Sequence, residues 1–186
     1  MFTAFLDANV LVPVALTDTI LRAAEAGLFA PMWSSKVLAE AKMAIGRVRP
    51  DLASSRIESR FRAMSLSFPD ACVIGWEPLV ERIDLPDPDD RHVVAAAWLG
   101  KADAIVTANT RDFPTGALEP CGLHAVHPDD FLLDLFDLAP DLVRRIVETQ
   151  AADASQPSLD VEDVLIALGL AGTGAFVAEF RKDLAR

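Results

Sequence analysis

Four acids in this 186-residue chain, Asp7, Glu40, Asp90 and Asp112, sit at positions suited to chemistry. Asp7 ends the apolar run Phe2-Thr-Ala-Phe-Leu6, and Glu40 falls on a helical pattern beside its apolar stripe. Asp90 lies in the first turn of a later helical pattern, and Asp112 follows the apolar run Ala104-Ile-Val-Thr107. Two unit charges about 4 Å apart repel by roughly 4 kcal/mol at an effective dielectric of 20. Four ionised carboxylates in one pocket therefore require an offsetting charge. Oxygen-only donors suit a hard divalent cation, Mg2+ or Mn2+. Zinc is not expected. Cys72 and Cys121 lack ligand spacing, and His92, His124 and His127 are scattered, reading as surface or capping residues. Taken alone, Asp7 also reads as the cap of the turn that follows its strand.

The elements that must position these acids alternate in type. Residues 2–6 read as a strand buried on both faces, as in a parallel sheet covered by helices. Ligands of such sheets sit beyond the carboxyl ends of the strands, where strand order reverses. A helix capped by Thr17 or Asp18 runs to Gly27, and residues 28–33 form a second strand. Ser34 or Ser35 caps a helix bearing Val37, Leu38, Ala41 and Ile45, with Gly46 as its stop. Leu52, Ile57, Phe61 and Met64 mark a further helix closed by Pro69, and residues 71–75 read as a short buried strand. The acidic turn Pro86-Asp-Pro-Asp-Asp90 leads into a helix ending at Gly100, followed by strands at 104–107 and 123–126. His127 opens a helix with Phe131, Leu132, Leu135 and Phe136. Beyond Pro140 only helices are expected, three of them, separated by Ala154-Ser-Gln-Pro157-Ser and by the Gly-rich stretch 169–174. This alternation means an α/β fold around a parallel sheet.

Composition is 52% hydrophobic and 24% charged, as in a soluble globular protein. The N-terminal apolar run lacks a preceding basic region and is broken by Asp7, so a signal peptide is not expected and a cytoplasmic location is. No apolar run reaches membrane-spanning length. The net charge of −11 excludes a protein that coats nucleic acid by electrostatics alone. The charge is uneven, however. Between Lys42 and Arg62 six basic residues, Arg47, Arg49, Arg56 and Arg60 among them, face two acids. That segment reads either as a solvated helix face or as a track for a polyanion.

Four stretches in order resemble the PIN domain, and more narrowly the PIN-domain ribonucleases that act as VapC-type toxins of toxin–antitoxin pairs. They are Leu6-Asp-Ala-Asn-Val-Leu11, Ser35-Lys-Val-Leu-Ala-Glu40, Asp87-Pro-Asp-Asp-Arg-His-Val-Val-Ala-Ala-Ala97 and Ala104-Ile-Val-Thr-Ala-Asn-Thr-Arg-Asp-Phe113. The resemblance implies a three-layer α/β/α sandwich with a short central parallel sheet over residues 1–137. A helical C-terminal extension over 138–186 lies outside the match. Asn109 stands where many PIN domains carry an Asp, which leaves Asp112 as the fourth acid.

The same resemblance implies metal-dependent cleavage of RNA phosphodiester bonds. Asp7 and Asp90 would bind the main ion, Asp112 would complete its shell or a second one, and Glu40 would orient the attacking water. Asn9, Thr107 and Asn109 read either as hydrogen-bonding support and phosphate contacts or as turn and cap residues. Arg47, Arg49, Arg56 and Arg60 would guide RNA, a basic antitoxin would dock an arginine over the acids, and a homodimer is expected. Two other readings remain: a non-catalytic PIN scaffold that binds a partner, and a phospho-transfer protein built on Asp7. The phosphatase form of the latter wants an acid where Asn9 stands, and the receiver form wants an acidic pair before Asp7.

Overall fold

The computed structural model describes residues 1–154 and 158–185, so Ser155, Gln156 and Pro157 of the expected linker lie outside the described residues. The chain forms β1 (Thr3–Leu6), α1 (Val14–Glu25), β2 (Ala30–Ser34), α2 (Ser35–Val48), α3 (Ser54–Ser67) and β3 (Cys72–Val73). It continues with α4 (Arg91–Gly100), β4 (Ala104–Val106), α5 (Thr115–Leu118), β5 (His124–Val126) and α6 (Pro128–Leu138). The final helices are α7 (Pro140–Asp153), α8 (Val161–Leu170) and α9 (Gly174–Leu184). Two compact units result, one from Met1–Val12 with Ala30–Val126, the other from Pro13–Phe29 with the chain from His127 onward.

The first unit carries the sheet, in the order β3-β2-β1-β4-β5 with every pair parallel. The α/β architecture with a short parallel sheet and a helical C-terminal region is as the sequence implies. Ala4, Phe5 and Leu6 of β1 and all of β4 are fully buried, which explains their unbroken apolar runs. Strand order reverses between β1 and β4, so the ligand edge of this sheet lies beyond Leu6 and Val106. On α2, Val37, Ala41 and Ile45 recur at fourfold spacing and are buried, leaving Glu40 beside the stripe. Ser34 starts this helix, its Oγ accepting the Val37 N–H at 3.2 Å. On α4 the run from Val93 through Ala97 is buried, as befits a helix apolar all round. At its end a Cβ on Gly100 would meet Val73 Cγ2 at 2.8 Å, so any larger residue would have to displace the Val73 side chain.

The second unit is helical. Phe136 stacks on Phe180 at 5.4 Å and meets Phe176 edge-on at 5.9 Å. Phe29 meets Phe131 edge-on at 5.0 Å. Gln150, buried on α7, accepts from Thr19 Oγ1 at 2.6 Å and donates to the Ala15 carbonyl at 3.1 Å, so a polar pair bridges α7 and α1 without an orphaned group. The Asp129 carboxylate takes the N–H groups of Ala175 and Phe176 at the start of α9.

Three local expectations are corrected. Helix α1 begins at Val14, ahead of Thr17, because Pro13 sets the entry and Leu16 gains burial; the Thr17 hydroxyl instead donates to the Pro13 carbonyl at 2.9 Å. Helix α2 runs through Gly46 to Val48, since an interior glycine costs only about 1 kcal/mol relative to alanine. β3 is a two-residue edge strand with Cys72 and Ile74 exposed, cut short by Gly75 at φ 80°.

Candidate functional site

Asp7 follows β1 directly and is 6% exposed. Its Oδ1 accepts the Ala8 N–H at 2.7 Å, and its Oδ2 accepts Asn9 Nδ2 at 2.7 Å and Thr107 Oγ1 at 2.8 Å. Its own N–H donates to the Val106 carbonyl at 3.1 Å, so the exits of β1 and β4 are stitched together through this residue. Asn9 Nδ2 also donates to Thr107 Oγ1 at 3.0 Å, and its Oδ1 accepts the Ala108 N–H at 2.9 Å. Thr107 Oγ1 in turn accepts the Asn109 N–H at 3.1 Å. Asp7 thus caps its turn and also occupies the ligand edge of the sheet.

The other three acids stand on separate elements of the first unit. Glu40 is half-buried on α2, with Oε1 3.8 Å from Lys36 Nζ and 3.1 Å from His92 Nε2. Asp90 is half-buried and precedes α4 without making a cap hydrogen bond; Asp87 caps the short turn Pro88–Asp90 ahead of it, its Oδ1 accepting the Asp89 N–H at 2.9 Å. Asp112 closes the turn after β4, half-buried. Burial pushes the Asp90 carboxyl up to about 6, and the charges of Asp7, Asp87, Asp112 and Glu40 add to the shift. Asp7 is raised by burial and by Asp112, against the pull of its hydrogen bonds to Thr107, Ala8 and Asn9. Glu40 is raised by burial, with Asp7 and Asp89 adding and Lys36 opposing. The four acids therefore share one electrostatic field. Among the described residues, however, no three His, Cys, Asp or Glu side chains are grouped closely enough to hold a metal ion.

Asn109 is exposed and contributes its backbone, through the bond to Thr107. Arg47 and Arg56 are exposed, and Arg49 pairs with Asp51 at 2.8 Å. Arg60 is half-buried, donating to the carbonyls of Leu11 and Val12 at 2.9 and 3.4 Å and lying over the Phe61 ring. Arg60 thus ties α3 to the segment just after Asp7. His127 caps α6, its Nδ1 accepting the Asp129 N–H at 3.2 Å, and His124 is exposed. His92 is neither a surface nor a capping residue: it is 3% exposed, and burial pushes its imidazole down to about 4, so it is neutral near pH 7. Its place on the buried face of α4, two residues after Asp90, was the one available signal.

The raised Asp90 carboxyl fixes the sign of a pH effect. Its folded value, about 6, lies above the ordinary 3.8. The folded form therefore binds more protons between these values, and the group's cost appears as pH rises through that window. His92, lowered from 6.5 to about 4, acts oppositely over the same range, so the comparison must be between variant and wild type. With chelator present at pH 7, Asp90→Asn is expected to stabilise the fold by about 1 kcal/mol, after discounting for solvent screening at a half-buried site. Thermal unfolding should show a Tm gain of about 2–4 °C that vanishes near pH 4. A Tm loss at pH 7 would contradict this charge balance.

A family model described as PIN domain matches residues 3–111, and one described as VapC50 C-terminal domain matches residues 128–182. The chain is 41% identical over 80 residues to "Putative ribonuclease VapC50" of Mycobacterium tuberculosis (strain ATCC 25618 / H37Rv). That match covers 43% of this chain and 47%, about half, of the relative. No solved structure gives a significant match. The match over residues 3–111 takes in the whole Asp7–Thr107 junction together with Glu40 and Asp90, and by it the chain belongs to the PIN domain family.

Proposed function

We propose that the chain is a ribonuclease of the VapC type, dependent on Mg2+ or Mn2+, that hydrolyses RNA phosphodiester bonds at Asp7, Glu40, Asp90 and Asp112. The observation that carries this reading is the shared field of four carboxylates at the point where the sheet reverses strand order. The donor set fits a hard divalent cation: it is all oxygen, and the carboxyls raised by burial and by one another gain from a positive charge. Asp7 and Asp90 would hold the main ion, with Asp112 completing its shell or a second one. Such an ion, when bound, supplies charge that acidifies a water and steadies the phosphate.

The chain's own residues do the rest. Asn9 and Thr107 hold Asp7 Oδ2 in one orientation, so that carboxylate meets its ligand without reorganising. Glu40 would orient the water whose oxygen bonds to phosphorus as a bridging P–O bond breaks, the water proton leaving toward this carboxylate. Asn109 offers an uncharged group near the phosphate. A phospho-acceptor role for Asp7 is disfavoured, because Asn9 stands where the phosphatase pattern wants a second acid and no acidic pair precedes Asp7. The name of the relative and the match to the VapC50 C-terminal domain support the VapC type.

RNA would approach over the basic segment, with Arg47, Arg49 and Arg56 at the surface and Arg60 bracing α3. An acidic cluster also suits an arginine fork, so a basic antitoxin segment placing an Arg near Asp7, Glu40 or Asp90 is part of the proposal. So are a homodimer, a cytoplasmic setting, and the division into a nuclease part (1–137) and an extension (138–186). The described residues contain no helix long and apolar enough to cross a membrane.

Asp7→Asn should lower RNA cleavage by at least about 10²-fold, and chelator should abolish wild-type cleavage. Undiminished, chelator-resistant cleavage in Asp7→Asn would refute the mechanism. Arg47→Ala with Arg56→Ala should weaken RNA binding and reduce its salt slope by roughly 1–2. An unchanged slope would return both residues to a solvated helix face.

A further inference from the structure

His92 presents two nitrogens in a buried setting with different fates. Nε2 lies 3.1 Å from Glu40 Oε1, whereas Nδ1 is buried without a hydrogen-bond partner among the described residues. Trp76, itself buried, holds the ring from the side at a centroid distance of 5.8 Å and a tilt of 47°. A buried nitrogen left unpaired costs about 1–3 kcal/mol, and a leucine would fill similar space without that cost. Packing alone therefore does not account for an imidazole here; the contact to Glu40 does. One tautomer, with the proton on Nε2, turns a donor to the carboxylate and leaves Nδ1 as an unused acceptor. The other sets a lone pair against the carboxylate and also buries an N–H without an acceptor. The first is favoured on both counts.

We propose that His92 is a positioning residue: by donating its Nε2–H to Glu40 Oε1 it fixes the carboxylate that orients the attacking water. This rests on the ribonuclease reading of the site. Lys36 also approaches Oε1, but at 3.8 Å from a side chain 46% exposed, so its hold is loose. Oε1 is thus the anchored oxygen and Oε2 the one left to face the water. Because His92 follows Asp90 by two residues, the contact couples the Glu40 carboxylate on α2 to the same start of α4 that presents Asp90. Supporting partners of this kind change activity by about 10–100-fold when removed.

The ring nitrogens of His92, observed by 15N NMR in the metal-free wild-type protein near neutral pH, should show a proton on Nε2. A proton on Nδ1 with none on Nε2 would overturn the proposal without any variant having to fold. In steady-state cleavage of a short RNA at saturating Mg2+, His92→Leu should lower kcat about 10-fold with KM unchanged. His92→Gln, which keeps a terminal N–H, should recover most of that loss, and His92→Leu should cost nothing further in a Glu40→Gln background. Equal losses in the Leu and Gln variants, or an undiminished loss in the Glu40→Gln background, would overturn it. Wild-type protein without metal-dependent cleavage would refute the ribonuclease reading and this role with it, while the nitrogen spectrum would still report the contact.

Discussion

One buried carboxylate governs the sheet-bearing unit of this molecule. Burying an ionised Asp is costly unless its oxygens are paired. Asp7 meets that condition through Ala8, Asn9 and Thr107, two residues of its own turn and one from the neighbouring strand exit. The same bonds that make its burial tolerable join β1 to β4 beyond the last ladder pair. Their pull does not fully cancel desolvation, so the carboxyl stays raised. The fold thus holds a charge it does not fully satisfy at the place where parallel sheets bind ligands.

A second acid of the same strand pair shows what a purely structural carboxylate looks like. Asp103 stands at the entry to β4, where its Oδ2 accepts the N–H and hydroxyl of Thr3 at 2.7 and 2.8 Å. Those bonds hold its carboxyl below the ordinary range, in the open and with no acid cluster around it. At the opposite end, Asp7, Asp90 and Glu40 are all raised, with burial the largest cause in each. Environment divides the carboxylates into a lowered brace and a set of raised groups.

The strands and most helices were legible because burial on both faces leaves unbroken apolar runs, as in β1, β4 and α4, and because Ser34 and His127 are recognisable starts. Helix ends were less so. Gly46 reads as a stop, yet Ile45 and its stripe hold the helix through it. The exposed edge β3 looks buried from Ala71-Cys-Val-Ile alone, since composition carries no information about which strand lies at the border. Non-local packing was hidden as well: α1 and α6 bury apolar residues with α7, α8 and α9, though sequence places them among the strands. For the candidate site, strand-end position singled out Asp7, Asn9, Thr107 and Asp112, and helical position singled out Glu40 and Asp90. The burial of His92 and the tie of Arg60 to Leu11 and Val12 depend on which elements meet in space, and periodicity does not show that.

The central claim is that these carboxylates form one cation site on a frame set by Asp7. Crystals grown with Mn2+ and measured at its absorption edge test it most directly. The account predicts an anomalous peak about 2.0–2.3 Å from oxygens of Asp7 and Asp90, the range for small hard cations. Asp112 and Glu40 should then be linked to it directly or through water. An Mn2+ peak elsewhere, or none at these carboxylates at millimolar Mn2+, would contradict the account.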